Sequence, residues 1–169
     1  MSSMTGSHST TRDRILGSGA NLLSKSGLGG VTVGALAELT GMSKSGLFAH
    51  FRSKDELQIR LLERSTEIAA KFVIGPAMAA PEGLPRLRAL VQNWLGWSKK
   101  AGLDGGCPVG AGLFELDDSE GLARDRLLQM EKAWRDLVGG VVSRAVSGGA
   151  SCAARRRRSD HLRCGDSLP

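Results

Sequence analysis

Residues Thr32–Leu57 read TVGALAELTGMSKSGLFAHFRSKDEL, and the spacing within this stretch decides the fold. Thr32 precedes a short run with Leu36, Ala37 and Leu39 on one face, and Gly41 closes it. That is the pattern of a helix opened by a hydroxyl cap and ended by a left-handed glycine. Ser43 opens a third helix, Lys44 to His50, with Leu47, Phe48 and Phe51 expected to point inward. Ser53 and Glu56 have capping-box spacing and open a longer helix. Its stripe of Leu57, Leu61, Ile68, Phe72 and Val73 runs to Gly75-Pro76. Upstream, Thr10 or Thr11 caps a first helix in which Ile15, Leu16, Ala20, Leu22 and Leu23 recur until Ser26-Gly27. Three short helices, the last two joined by a tight glycine turn, make a helix-turn-helix unit.

Further along, Pro81-Glu82-Gly83 breaks to a helix with Leu84, Leu87, Leu90, Val91, Trp94 and Leu95 on its apolar side. A loop spans 102–106, a short helix spans about 108–116, and an acidic turn follows at Asp117-Asp118-Ser119-Glu120. The last periodic helix carries Leu127, Met130, Trp134, Leu137, Val138, Val141 and Ala145. No strand alternation of useful length occurs, so the expected class is all-α. After Val146 the pattern ends. Ser147–Ala150 reads as a linker, and 151–169, with four consecutive arginines at 155–158, as a disordered basic tail. The expected domains are therefore a leader at 1–9, a helix-turn-helix domain at 10–52, a helical ligand-binding and dimerisation domain at 53–146, and the tail from 147 to 169.

Charge is distributed in the same pattern. The 169 residues carry 23 basic and 17 acidic side chains, a net charge of +6. Residues 1–52 are +3, 53–150 are neutral and 151–169 are +3 again, which points to an anionic partner met at the ends. No apolar run approaches the roughly 18 residues of a membrane span. The Ser/Thr-rich start lacks a signal-peptide core, and three cysteines give no disulfide framework, so a cytosolic location is expected. No Ser/His/Asp grouping, metal-spaced His/Cys cluster or phosphate-cradling loop points to an enzyme, a metal or a cofactor.

A recognition helix in a major groove presents small polar and basic side chains at its N-terminal end. Lys44, Ser45, Gly46 and Ala49 fit this: Lys44 reaches a guanine edge or a phosphate, and its small neighbours permit close approach. Thr32 and Ser43 stand at helix N-termini, whose free N–H groups suit phosphate, so they are candidate backbone contacts as well as caps. Caps alone, or ordinary solvated lysines at Lys44 and Lys54, are the plainer readings.

The stretch 32–57 resembles the DNA-binding domain of the TetR family of bacterial transcriptional regulators. The shared features are the capping Thr32, Leu36-Ala37, Gly41-Met42-Ser43, Leu47-Phe48, His50-Phe51, Ser53-Lys54 and an acidic residue before Leu57. The resemblance implies that Phe48, His50 and Lys54 lie along the DNA backbone. Phe48 departs from the tyrosine found in many members and lacks a hydroxyl to give a phosphate.

The resemblance also implies a homodimer on a palindromic operator of double-stranded DNA. Its second domain would take a small apolar or amphipathic effector, coupled to DNA affinity through the tilt of the helix from Ser53 to Ile74. Candidate lining residues are Phe72, Trp94, Trp97, Phe114, Met130 and Trp134, with Trp94 and Trp97 expected on one helix face. Each could equally be plain core. The family closes this domain with two pairing helices needing roughly 30–45 residues. The residues after Val146 are too few and not helix-like, which suggests a frameshift near Ser147 or a misassigned end. Competing classes are a nonspecific DNA-binding protein and an inactive relative without the dimerisation helices.

Overall fold

The computed structural model describes residues 10–115 and 120–163, with side chains as far as Gly148. The described residues are helical, without strands. They divide into two compact units, Met1–Ala70 with Ser98–Glu131 and Lys71–Trp97 with Lys132–Pro169.

In the first unit α1 spans Thr11–Gly30, α2 Val33–Thr40, α3 Lys44–Phe48 and α4 Lys54–Ala69. Thr10 caps α1 in a full capping box: its hydroxyl accepts from the Asp13 N–H, and the Asp13 carboxylate accepts from the Thr10 N–H. The expected stop at Ser26-Gly27 is present as Gly27 at φ 66°, after which one more short turn reaches Gly30. Gly41 closes α2 at φ 67°. Helix α3 is shorter than the sequence pattern predicts, because Ala49 and His50 form a turn. This leaves Leu47 and Phe51 buried and sends Phe48 outward, 51% exposed, against the inward placement expected for it.

Ile15, Leu23, Leu36, Leu47, Phe51 and Leu61 are almost wholly buried and form one cluster, which Leu62 of α4 and Leu127 complete. Each such side chain contributes about 1.5–3 kcal/mol through burial. The sequence boundary at 52/53 thus separates elements that share one core. This unit also includes α8, Pro108–Glu115, packed on α1 and α4, and the start of α9, Leu122–Arg163. Gly112 lets α8 approach closely, since a Cβ there would stand 3.2 Å from Leu28 and 3.3 Å from Leu127.

The chain does not end its helical path at Gly75-Pro76. After α4 a wide π turn covers Ala70–Ile74, and α5 continues over Gly75–Ala79. Pro76 has no N–H to give to the preceding turn and its ring crowds that turn's carbonyls; a widened turn accommodates both.

In the second unit α6 spans Leu84–Trp94 and packs on α5. Trp94 and Trp97 do not share a helix face: Gly96, at φ 68°, ends the helix between them, and Trp97 begins the short α7, Trp97–Lys100. Trp94 is half exposed and tilts against Trp134 of α9 at 5.7 Å, whereas Trp97 is buried.

Helix α9 runs from Leu122 to Arg163. Its backbone is helical through 147–163, where the sequence pattern predicts a linker and a disordered tail. Residues 164–169, the leader at 1–9 and most of the acidic turn, 116–119, lie outside the described residues. No helix among the described residues is long and apolar enough to cross a membrane.

Candidate nucleic-acid interface

The interface expected from sequence is built on two capped helix starts. Thr32 Oγ1 accepts from the Ala35 N–H at 3.0 Å, and Ser43 Oγ accepts from the Gly46 N–H at 3.0 Å. Both residues have the extended backbone of a cap and both are exposed. Ser45 stands beside Ser43, their hydroxyls 3.0 Å apart.

A Cβ placed on Gly34 would lie 3.8 Å from both Thr32 Oγ1 and the Cε of Lys44. The lysine stem therefore passes the first turn of α2, and its ammonium belongs to the same edge as the Thr32 cap. Lys44, Ser45, Phe48 and Ala49 are exposed, and Gly46 and His50 are half-buried. Lys54 opens α4 and is exposed, with Arg52, also exposed, two residues earlier. The first eight of the nine candidates lie on α2, α3 and the turns that flank them. Small, hydroxyl and cationic groups exposed beside two helix N-termini form a surface suited to a phosphate backbone.

Sequence patterning missed the fastening of this surface. Arg12 of α1 reaches Glu56 at 3.1 Å and stacks over the Phe51 ring at 5.1 Å from its centroid. The other Glu56 oxygen accepts from the Arg52 N–H at 2.9 Å. The capping box read at Ser53 and Glu56 is therefore half formed. Ser53 Oγ accepts from the Glu56 N–H, but the carboxylate is bonded one residue earlier than the motif specifies. The Arg52 N–H, followed by the charge of Arg12, holds the Glu56 carboxyl below its ordinary range. Arg12 and Glu56 are 44 positions apart, so no local pattern could have paired them.

Family models match both parts of the chain. Residues 15–61 match the model of bacterial regulatory proteins of the tetR family, and residues 83–154 match the tetracyclin repressor-like C-terminal domain. The chain belongs to the TetR family. Solved structures agree with this fold. A TetR transcriptional regulator from Chloroflexus aurantiacus J-10-FL shares 24% identity over 82% of this chain and 70% of its own, with a TM-score of 0.71. A TetR-family regulator from Agrobacterium tumefaciens shares 18% over 82% and 73%, also at 0.71. AibR, solved in complex with isovaleryl coenzyme A and operator DNA, shares 23% over 83% and 74%, at 0.64. No curated protein matches the sequence. The fold and domains of this TetR-family chain are those of a DNA-binding transcriptional regulator.

The residues expected to line an effector site are not gathered in one place. Met130 packs on the core of the first unit, its sulfur accepting from Thr66 Oγ1 at 3.6 Å. Phe114, also in the first unit, is 89% exposed. Phe72, Trp94, Trp97 and Trp134 belong to the second unit, where Phe72 lies under the Lys71 ammonium, 5.6 Å from the ring centroid. Cys107 is an exposed free thiol whose sulfur accepts from the Gly110 N–H at 3.5 Å. Among the described residues, no three His, Cys, Asp or Glu side chains group as metal ligands.

Proposed function

We propose that this TetR-family regulator is a ligand-responsive repressor that binds a palindromic operator as a homodimer in the cytoplasm, by binding alone and without catalysis. The observation that carries the DNA reading is the exposed edge where Thr32, Ser43, Lys44 and Ser45 meet at the starts of α2 and α3. In this reading Lys44, Ser45, Gly46 and Ala49 meet base edges. Thr32, Ser43, Phe48, His50 and Lys54 follow the phosphates, with Phe48 packing on a sugar or thymine methyl. Residues 10–52 are the DNA-binding domain.

The second copy is supported by the apolar surface of the second unit. Leu84, Val91, Trp94 and Leu95 of α6 and Val142 and Val146 of α9 are all exposed. Exposed large apolar side chains in this number are suited to being covered by a partner. A small apolar or amphipathic effector is the class that fits the aromatic residues 72, 94, 97 and 134 of the second unit. The AibR structure, which holds an acyl coenzyme A, supports an acyl thioester as the first compound to try.

The test combines light scattering with selection of duplexes from a random pool. The expected result is a mass near twice 17.8 kDa and enrichment of an inverted repeat. A pool without symmetric enrichment, bound with steep salt dependence but no sequence preference, would replace this reading with nonspecific binding.

A further inference from the structure

The C-terminal part of α1 is held by a second stretch of chain, residues 104–115. At one end the fastening is dense. The Asp104 N–H donates to Asn21 Oδ1 at 2.9 Å, and the Asn21 amide donates back to Asp104 Oδ2 at 3.0 Å. The Gly105 N–H donates to Ser24 Oγ at 3.1 Å and the Gly106 N–H to the Ser24 carbonyl at 3.0 Å. Gly105 lies so close to the Ser24 carbonyl that a Cβ there would overlap it. Lys25 adds an ion pair to Asp104 at 3.5 Å.

At the other end, among the described residues, α8 is held by apolar packing of Gly112 and Leu113 and by one exposed hydrogen bond. The Gly29 N–H donates to Glu115 Oε2 at 2.8 Å. Glu115 belongs to α8, Pro108–Glu115. A Cβ on Gly27 would overlap the same carboxylate, so the Glu115 side chain lies directly against the left-handed turn at Gly27. Two residues beyond Gly29 comes buried Val31, and then Thr32, the cap of α2.

We propose that residues 104–115 form a strap on α1 and that the Glu115–Gly29 bond is its releasable end. While it is made, the turn from Gly27 to Val31 is fixed and α2 starts from a defined position. An event that draws the end of α8 away frees that turn, and DNA must then order it at a cost in affinity. This proposal rests on the DNA-binding reading. It places the coupling in the turn after α1, a route separate from a tilt of α4. Among the described residues the polar fastening is uneven: four hydrogen bonds and an ion pair hold the start of the strap, whereas apolar packing of Val109, Gly112 and Leu113 holds α8 and one solvent-exposed hydrogen bond ties its end to the turn after α1.

The test uses the full chain with Glu115→Ala, Glu115→Gln and, as a control, Glu67→Ala, whose side chain pairs with Arg64 on the surface of α4. Amide exchange is followed by NMR, and affinity is measured for a duplex that the unaltered chain selects from a random pool. Glu115→Ala is expected to speed exchange at Gly29 and onward through residues 35–47, and to weaken the duplex about fivefold, the scale of one ordinary solvent-exposed hydrogen bond. Glu115→Gln keeps an acceptor oxygen and should stay within about twofold. Glu67→Ala should match the unaltered chain in exchange at 29–47 and in affinity.

Faster exchange at Gly29 alone, with affinity intact, would make the bond a local fastening and overturn the proposal. If the unaltered chain selects no duplex, the DNA-binding reading fails by itself. Exchange at 35–47 then decides the strap: unaltered protection in Glu115→Ala overturns it, and lost protection upholds its control of α2 and α3.

Discussion

In the unit that carries α2 and α3, Ile15, Leu23, Leu36, Phe51, Leu61 and Leu62 lose nearly all contact with solvent. In the unit built from α5, α6 and the later part of α9, Leu84, Val91, Trp94, Leu95, Val142 and Val146 keep it. Helix starts differ in the same sense. Thr10, Thr32, Ser43 and Ser53 each cap a helix of the first unit with a side-chain oxygen, while α5 and α6 begin at Ile74 and Gly83 without a side-chain cap. The first unit is closed by its own side chains and defines its helix boundaries locally. The second buries Val73, Ala77, Leu90, Trp97 and Val141 but leaves Leu84, Val91, Trp94 and Leu95 open to solvent, which is why a second copy is the proposed cover.

The sharpest way to break this comparison is to truncate one large side chain in each unit. Phe51→Ala should cost about 3–5 kcal/mol, since it empties a buried site under Arg12. Trp94→Ala should cost the monomer no more than about 1 kcal/mol while lowering the dimer fraction seen by light scattering. Equal losses in chemical unfolding would mean that Trp94 is part of the second unit's core and not of an open face.

A smaller effect is expected at the strap. Gly105→Ala should destabilise by about 1–3 kcal/mol, because the added methyl meets the Ser24 backbone and not a flexible side-chain end. Gly139→Ala, in α9 with nothing near its Cβ, should instead be neutral or slightly stabilising in the same unfolding assay.

The caps give a finer separation of stability from DNA contact. Thr32→Ala should lose about 1 kcal/mol of stability. Thr32→Asp should keep the cap, and with it the stability, yet weaken DNA binding because its charge faces phosphate. Equal DNA affinity for the aspartate variant and the unaltered chain would confine Thr32 to capping.

The smallest effect is a pH dependence confined to the first unit. The Glu56 carboxyl lies below its ordinary value of 4.5, chiefly through the Arg52 N–H, and Asp13 lies below 3.8 through the Thr10 hydroxyl and N–H. A carboxyl held lower in the folded chain stabilises it above the unfolded value and loses that contribution as pH falls through the folded one. Unfolding midpoints should therefore be flat above about pH 5 and decline in acid. Glu56→Gln should show a shallower decline, and an identical slope would remove Glu56 from this balance.

What could be read in the sequence was whatever a few neighbouring residues decide. A hydroxyl three residues before an N–H caps a helix wherever the chain goes, so Thr10, Thr32, Ser43 and Ser53 were legible. Gly27 and Gly41 were legible as ends because left-handed backbone favours glycine. The helix-turn-helix, and with it the candidate DNA surface, follows from those local rules and from apolar spacing.

Tertiary structure decided the rest. Periodicity marks Trp94, Trp97, Met130 and Phe114 alike as apolar, yet one is half exposed, one buried, one part of the first unit's core and one open to solvent. Spacing along a helix says which side chains share a face and not what covers that face. Nor could sequence join Arg12 to Glu56 or Gly29 to Glu115, because each pair is far apart along the chain and meets only when helices pack. Capping is settled within four residues, whereas burial and long-range hydrogen bonds are settled by which surfaces come together.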